Sequence, residues 1–368
     1  MPSELKLTIP ASPNTVQVSI IDTATTIRCP ADIFLAPRVD GLERLTANAF
    51  SFLIENPRAG RKVVFDLGVR RDWENYAQPL SDRLKRGRFD IEVKKNVAEI
   101  LTENGVKLED IESIIWSHSH FDHIGDPSTF PGSTSLVVGP GMPAAKLPPY
   151  PENPSGELLE SDFRGRQLVE ITPDRFTTRI GGFGAHDFFG DGSFYLLDVP
   201  GHAVGHMCGL ARTTATPDTF ILMAADTCHH GGQFRPSPYQ PLPEEIVPNP
   251  YDDDDHQTTP SCPCRIFERI HPDPAKYRTE PFYRIRVNED RTSVAYDVEA
   301  ATRSIRHLQE FDAAENVFVV CAHDASLLGV VDVFPARANG WKDAGWKERG
   351  KWRFLRDWDV GPADERRA

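Results

Sequence analysis

Short apolar segments recur along this chain, and several of them run directly into a histidine or an aspartate. The segment IESIIW precedes SHSHFDHIGD, and SFYLLDVPGH, TFILMAAD and VFVVCAH each end at one such residue. Runs of about four to eight apolar residues between glycine, proline and aspartate are typical of buried β-strands. We therefore expect β-sheets whose strand ends carry imidazole and carboxylate groups.

The remaining periodicity predicts further strands and a helix in each half of the chain. TVQVSIID, AFSFLIE and RKVVFDLG are β-rich, and TSLVVG and GLART continue the pattern. IEVKKNVAEILTENGV predicts a helix with one apolar face, which is formed by Val93, Val97, Ile100 and Leu101. VEAATRSIRHLQEF predicts a second helix. We interpret residues 1–368 as a single elaborated domain.

Two parts of the chain depart from this regularity. Residues 228–285 are rich in proline and include the acidic run 252–255, so we interpret them as an inserted surface loop. Because this insertion immediately follows Asp226, the last residue of TFILMAAD, we expect it to fold over the histidines and aspartates at the strand ends and to shape a pocket there. Residues 336–368 form an extension that packs on its own sheet or on a partner subunit through Trp341, Trp346, Trp352 and Trp358.

Composition excludes several classes of protein. The formal net charge of -13 argues against a nucleic-acid partner, because such proteins need Lys and Arg to neutralise phosphates. No apolar run is long enough to predict a membrane span, and the N-terminus does not resemble a secretory signal. Six sparse and irregularly spaced cysteines favour a reducing, cytoplasmic setting. We interpret Cys262 and Cys264 as loop residues, because their spacing is not that of a metal-binding or redox pair. We expect a monomer or a homodimer.

The segment HSHFDH concentrates groups that can bind metal. His118 and His120 are two residues apart, so in extended backbone they project to the same side and can share one cation. Asp122 and His123 follow the turn and can face a second cation. Imidazole nitrogen and carboxylate oxygen are ligands that zinc accepts at roughly 2.0–2.2 Å. This segment therefore predicts a metal centre.

Three more strand ends supply candidate ligands. They are His202 in VPGHAVGH, Asp226 in AADTCHH and His323 in VCAHD. A carboxylate such as that of Asp226 can bridge two cations. His206 is interpreted as a supporting residue rather than a ligand, because other donors are plentiful.

The order HSHFDH, PGH, AAD and AHD resembles the metallo-β-lactamase superfamily, from about residue 45 to residue 330. The resemblance implies an α+β fold, an αββα sandwich with a long inserted loop, and a site at one edge between the sheets. It also implies two metals, bridged by Asp226, with Asp66 supporting the site. The first metal would be held by His118, His120 and His202, and the second by Asp122, His123 and His323.

The implied chemistry is hydrolysis with two zinc ions, or with iron or manganese in their place. Two cations roughly 3.5–4 Å apart can lower the pKa of a shared water to near 7, so that a metal-bound hydroxide attacks the substrate. Asp122 is the candidate for carrying a proton to the leaving group. His229 stands where lactonase-like relatives commonly have a tyrosine, and it can donate a hydrogen bond to the substrate oxygen. The alternative is that His229 and His230 are two loop histidines that face water.

The leading hypothesis is a lactonase- or lactamase-type hydrolase that opens a small cyclic ester or amide. The alternatives are a thioesterase of the glyoxalase II type, an iron-dependent oxidoreductase of the same fold, and a metal-bearing binding protein without activity. The aromatic residues of GGFGAHDFFGDG line a pocket or, as we favour, belong to the core of a hairpin; they are Phe183, Phe188 and Phe189.

Overall fold

The computed structural model describes residues 5, 7–251 and 261–358. Its strands are, in chain order, β1 Gln17–Asp22, β2 Thr25–Pro30, β3 Leu35–Ala36, β4 Arg44–Ala47, β5 Phe50–Asn56, β6 Arg61–Phe65, β7 Asp90–Val93, β8 Ser113–Ile115, β9 Ser135–Val138, β10 Leu168–Glu170, β11 Thr178–Ile180, β12 Phe183–Asp187, β13 Phe194–Asp198, β14 Met207–Ala215, β15 Asp218–Ala225, β16 Glu245–Ile246, β17 Cys262–Pro263, β18 Arg284–Ile285 and β19 Val317–Cys321. Its helices are α1 Gln78–Arg86, α2 Val97–Glu103, α3 Phe121–Ile124, α4 Met142–Lys146, α5 Glu160–Phe163, α6 Val298–Ala313 and α7 Trp346–Gly350.

Two six-stranded sheets form the body of the molecule. The first has the order β1-β5-β6-β8-β9-β10, and the second has the order β11-β12-β13-β14-β15-β19. In the first sheet β6, β8, β9 and β10 run parallel, whereas the second is antiparallel except for the pair β15 and β19. Parallel neighbours bring the carboxyl ends of their strands to the same edge, and this is where the polar strand ends meet.

Apolar side chains fill the space between the sheets and cover both outer faces. Phe52 and Phe65 of the first sheet lie in one buried cluster with Phe194 and Met223 of the second. On the outside, α1 and α2 cover the first sheet and α6 covers the second. Each fully buried side chain of this size contributes about 1.5–3 kcal/mol. The layers therefore follow the order helix, sheet, sheet, helix, which confirms the predicted αββα sandwich.

Helix α6 lies where the apolar pattern of VEAATRSIRHLQEF predicted a helix. The Asp297 side chain accepts a hydrogen bond from the backbone N–H of Ala300 at 2.9 Å and so begins the helix. Ala301, Ile305 and Leu308 then recur at helical spacing and are buried, and Ile305 and Leu308 pack in one cluster with the second sheet.

The helix predicted around residue 97 is shorter than the apolar pattern indicated. Val93 belongs to β7, where it pairs with Thr25 of β2. The helix starts only after Asn96, whose backbone N–H donates to the Glu99 side chain at 2.8 Å in a capping box. The apolar pattern alone is compatible with a helix that includes Val93, but backbone pairing with the distant strand β2 places Val93 in a strand.

A fourth buried cluster lies outside the sandwich, and we call the segments that build it the cap. The cap comprises residues 29–45, the described part of 228–285, and residues 352–358. Its core joins side chains from all three segments, among them Leu35, Leu45, Leu242, Phe267, Phe282, Tyr283, Trp352, Phe354 and Trp358. The described part of the insertion therefore shares a buried core with the other two segments. The boundaries 228–285 and 336–368 stay predictions, and the acidic run 252–255 lies outside the described residues.

The tryptophans of the C-terminal extension divide between these two regions. Trp341 and Trp346 pack on Phe318 of β19, with ring centroids 5.5 and 6.2 Å apart, and they belong to the core between the sheets. Trp352 and Trp358 lie in the cap. The extension thus connects the sandwich to the cap.

The aromatic residues after β11 belong to packed structure. Strands β12 and β13 form the predicted antiparallel hairpin. Phe183 stacks on Phe311 of α6 at 5.9 Å, and Phe188 and Phe189 pack against the core between the sheets, where Arg61 lies over both rings. Among the described residues, no helix combines the length and apolar character that a bilayer crossing requires.

Candidate metal centre

The candidate ligands come from both sheets and meet at one edge of the sandwich. His118 and His120 follow β8 of the first sheet, and His123 lies in the short helix α3 that comes next. His202, Asp226 and His323 follow β13, β15 and β19 of the second sheet. The side chains gather into two groups, and within each group the potential ligand atoms all lie within 4.8 Å of one another.

The first group contains His118, His120, His202 and Asp226. The His202 Nε2 atom lies 3.1 Å from His118 Nε2 and 2.9 Å from His120 Nδ1. The Asp226 Oδ2 atom is 3.3 Å from His202 Nε2 and 3.7 Å from His118 Nε2. Three imidazole nitrogens and one carboxylate oxygen therefore converge on one small volume.

The second group contains Asp122, His123 and His323. Their neighbour is the other oxygen of Asp226, because Oδ1 lies 3.0 Å from both His123 Nε2 and His323 Nε2. Asp122 completes the group, with Oδ2 3.4 Å from His323 Nε2. The two oxygens of one carboxylate thus face two separate sets of nitrogen donors.

The donor atoms at the junction of the groups fit a bound cation. His123 Nε2 and Asp226 Oδ1 are buried, and although they lie 3.0 Å apart, neither makes a hydrogen bond of good geometry with the described residues. Buried polar atoms are almost always partnered, since an unpaired one costs about 1–3 kcal/mol. Imidazole and carboxylate at this spacing are the donors that zinc and similar divalent ions take.

Supporting residues fix which nitrogen of each imidazole points into the site. Asp66 accepts a hydrogen bond from His123 Nδ1 at 2.8 Å, and its other oxygen accepts one from the backbone N–H of Ser117 at 2.7 Å. His323 Nδ1 donates to the backbone oxygen of Asn48 at 2.7 Å. In both imidazoles the Nδ1 proton is used outside the site, so Nε2 is directed inward. Asp66 therefore contacts His123 from behind the candidate ligands, the side that the family resemblance implied for it.

His206 also lies behind the candidate ligands. Its Nδ1 donates to the backbone oxygen of Val199 at 2.9 Å, and its Nε2 accepts a hydrogen bond from the backbone N–H of Asp226 at 3.2 Å. It therefore connects the turn that carries His202 to the strand end that carries Asp226, as expected of a supporting residue.

Burial and charge divide the histidines into two kinds. Burial lowers the pKa of His120 to about 3 and holds the pKa values of His118 and His202 well below their usual range, so these imidazoles are neutral and can act as ligands. Burial also opposes charge on His323, but the negative charge of Asp226 outweighs it and raises the pKa of His323 to about 9. Positive charge is thus favoured beside Asp226 Oδ1, and a bound divalent cation would supply that charge.

The structure separates the adjacent residues His229 and His230. His229 lies at the site, with Nε2 3.3 Å from Asp226 Oδ2, whereas His230 Nε2 is 3.2 Å from Asp357 in the cap. Both side chains are largely buried, so the alternative of two histidines that face water is wrong for this pair. Phe34, which no sequence signal indicated, stacks on the His229 ring with centroids 4.3 Å apart.

The cysteines lie outside both groups of candidate ligands. All six are buried, and Cys262 and Cys264 belong to the core of the cap. Burial raises the pKa of Cys29 to about 12, which keeps that thiol protonated.

Comparison with known proteins agrees with this architecture. The metallo-beta-lactamase superfamily matches residues 46–273. "Gamma-lactamase FDB1" of Fusarium pseudograminearum is 46% identical over 97% of this chain and 85% of its own length. "Metallo-hydrolase mfmC" of Annulohypoxylon moriforme is 42% identical over 95% of this chain and 89% of its own length.

A solved structure shares the fold at low sequence identity. It is an N-acyl homoserine lactone hydrolase with the product N-hexanoyl-L-homoserine bound at the catalytic metal centre, with a TM-score of 0.57 and 17% identity. The match covers 88% of this chain and 99% of that one. Fold, site and relatives together define a metal-dependent hydrolase. The chain belongs to the metallo-β-lactamase superfamily.

Proposed function

We propose that this protein hydrolyses a small cyclic amide or ester with the help of two zinc ions, and that a γ-lactam is the first substrate class to test. The relative named gamma-lactamase, which matches nearly the whole chain, supports the amide. A lactone ring presents the same carbonyl group with oxygen in place of nitrogen, so it belongs in the same test.

The observation that carries the proposal is the position of Asp226. Its Oδ2 faces the first group of histidines and its Oδ1 faces the second, so one carboxylate can contact two cations. We assign one zinc to His118, His120 and His202, and the other to Asp122, His123 and His323, with Asp226 shared. When bound, the two ions would polarise the scissile carbonyl and lower the pKa of a water molecule.

The roles of Asp122 and His229 follow from where they lie. Asp122 is the more exposed member of the second group, with 12% of its side chain accessible, so its carboxyl group can move a proton to the departing nitrogen or oxygen. His229 is on the other side of Asp226, near Oδ2, and its Nε2–H can donate to the oxygen that becomes negative during attack.

The test combines elemental analysis with a substrate panel. We expect two zinc ions per chain and turnover of γ-lactams or lactones that is lost on chelation and restored by zinc. Full turnover by metal-free protein would contradict the proposal. Preference for a thioester in the panel would instead favour the glyoxalase II type of activity, and bound iron with oxygen consumption would favour an oxidoreductase.

A further inference from the structure

The aromatic ring of Phe34 lies against the imidazole of His229. The ring centroids are 4.3 Å apart and the ring planes differ by 23°. On the side of the metal centre, the His229 ring is parallel to that of His323 within 12°, at 5.9 Å. The His229 ring is therefore stacked between two nearly parallel rings, which largely set its orientation.

Hydrogen bonding by itself leaves the His229 side chain free to turn. Its backbone N–H donates to Gln233 Oε1 at 2.6 Å, which fixes the backbone but not the ring. Within the described residues, the buried Nε2 atom has no hydrogen-bond partner, although Asp226 Oδ2 is 3.3 Å away. The ring is therefore positioned by its aromatic neighbours, which are Phe34, His323 and the tilted ring of His202 at 5.0 Å, and of these three Phe34 is the one outside the candidate ligands.

Phe34 is held by residues of the cap and by Arg286, which directly follows the insertion. Its backbone N–H donates to Ala31 at 3.1 Å, and its backbone oxygen accepts a hydrogen bond from Arg286 at 3.0 Å. The next residues form β3, which pairs with β18 at the end of the insertion. Residues far apart in sequence therefore place one phenyl ring beside the metal centre.

We propose that Phe34 is a positioning residue for the reaction. It holds the imidazole of His229 in the plane in which Nε2 lies beside Asp226 and can reach the substrate oxygen. The inference rests on the proposed function, in which His229 donates to that oxygen. It assigns to the cap a contribution to turnover itself, in addition to any selection of substrate.

Substitution of Phe34 tests this role. Phe34→Leu keeps an apolar side chain but removes the flat surface, and we expect kcat to fall about 3- to 10-fold, the size of an aromatic stacking effect, with little change in KM. Phe34→Tyr retains the ring and should restore kcat. Ile33→Ala is the matched control, because Ile33 is the adjacent residue and packs on the same cluster. An equal fall in kcat for Ile33→Ala, or no recovery with Phe34→Tyr, would overturn the proposal.

A double-mutant cycle distinguishes positioning from general packing. If Phe34 acts through His229, then Phe34→Leu should have almost no further effect on kcat in a His229→Ala background. The same fold-change in both backgrounds would show that the two residues act independently, and the proposal would be wrong.

A chemical readout keeps this test separate from the proposed function. In the zinc-loaded protein, diethyl pyrocarbonate should modify His229 several-fold faster in Phe34→Leu than in wild type or in Phe34→Tyr, as mapped by mass spectrometry. His230 is the internal control, since its imidazole is held by Asp357. Absence of lactam and lactone turnover in wild type would refute the proposed function, whereas unchanged labelling of His229 would refute the role of Phe34.

Discussion

The sandwich and the cap are stabilised in different ways. The sandwich consists of two six-stranded sheets with helices on both outer faces. The strands of the cap include β3, β16, β17 and β18, each of only two residues, and its core is rich in aromatic side chains. All seven candidate metal ligands belong to the sandwich. His229 and Phe34 belong to the cap.

In the proposed function this difference separates metal binding from positioning of the substrate. Ligands at the ends of strands in a continuous sheet keep their spacing, because many backbone hydrogen bonds hold them. A region assembled from three segments can vary in shape while the ligands stay in place. Substitutions in the sandwich and in the cap test how independent the two regions are.

The largest effect is expected for Asp226→Asn. It removes the charge that faces both groups of histidines, and we expect loss of bound zinc together with a fall in kcat/KM of about 10³-fold or more. Elemental analysis and steady-state kinetics measure the two effects. Asp198→Asn is the control, because Asp198 also ends a strand, β13, but lies outside both groups. Two zinc ions retained by Asp226→Asn would contradict the shared assignment.

Trp358→Ala should loosen the cap without affecting the metals. Trp358 is fully buried, and its Nε1–H donates to the Tyr283 hydroxyl at 3.1 Å, so truncation should cost about 3 kcal/mol of cap stability. We expect faster proteolysis within residues 228–285 and normal zinc content.

Trp341→Ala is the matched variant in the sandwich, because Trp341 is equally buried between the sheets. It should lower the free energy of global unfolding in urea by a similar amount. If both variants change proteolysis and global unfolding alike, cap and sandwich unfold as a single cooperative unit and are not independent.

Asp66→Asn should weaken metal binding by about 10- to 100-fold, the usual effect of losing a carboxylate behind a ligating histidine. Asp66 has a positive φ of 59°, which Asn tolerates, so the backbone should be preserved. Competition with a chelator measures zinc affinity. Wild-type affinity in this variant would show that the hydrogen bond to His123 has no role in holding the site.

The smallest effect concerns the pH dependence of stability. Burial raises the pKa of Asp162 to about 7, from 3.8 for an ordinary aspartate, so between these values the folded protein keeps a proton that the unfolded chain releases. Stability therefore falls as pH rises from about 4 to 7. Asp162→Asn should remove this dependence, which between pH 6 and pH 8 is of the order of 1 kcal/mol. Urea unfolding at pH 6 and pH 8 measures it, and an unchanged difference between the two pH values would contradict the raised pKa of Asp162.

Much of the fold was predictable because its elements follow simple periodicities. The strand that precedes His118 and the helix α6 both lie where their apolar patterns indicated. The helix near Val97 was predicted too long, since pairing with β2 places Val93 in a strand. Local propensity carries no information about such a distant partner.

The candidate site was likewise predictable only in part. The histidines and aspartates of HSHFDH are close in sequence, so their grouping was predictable from geometry. His229 and His230 could not be distinguished, because adjacent side chains in irregular backbone can point in any direction. Only the packed cap turns one toward Asp226 and the other toward Asp357.

The sequence alone therefore sufficed for the kinds of candidate ligand and for their places at the ends of strands, because both depend on neighbouring residues. Tertiary structure decided what surrounds those groups. The backbone oxygen of Asn48 holds His323 across 275 positions of the chain, and Phe34 reaches His229 through a cap built from three segments. Contacts of this range arise from the packing of whole layers, which no local pattern encodes.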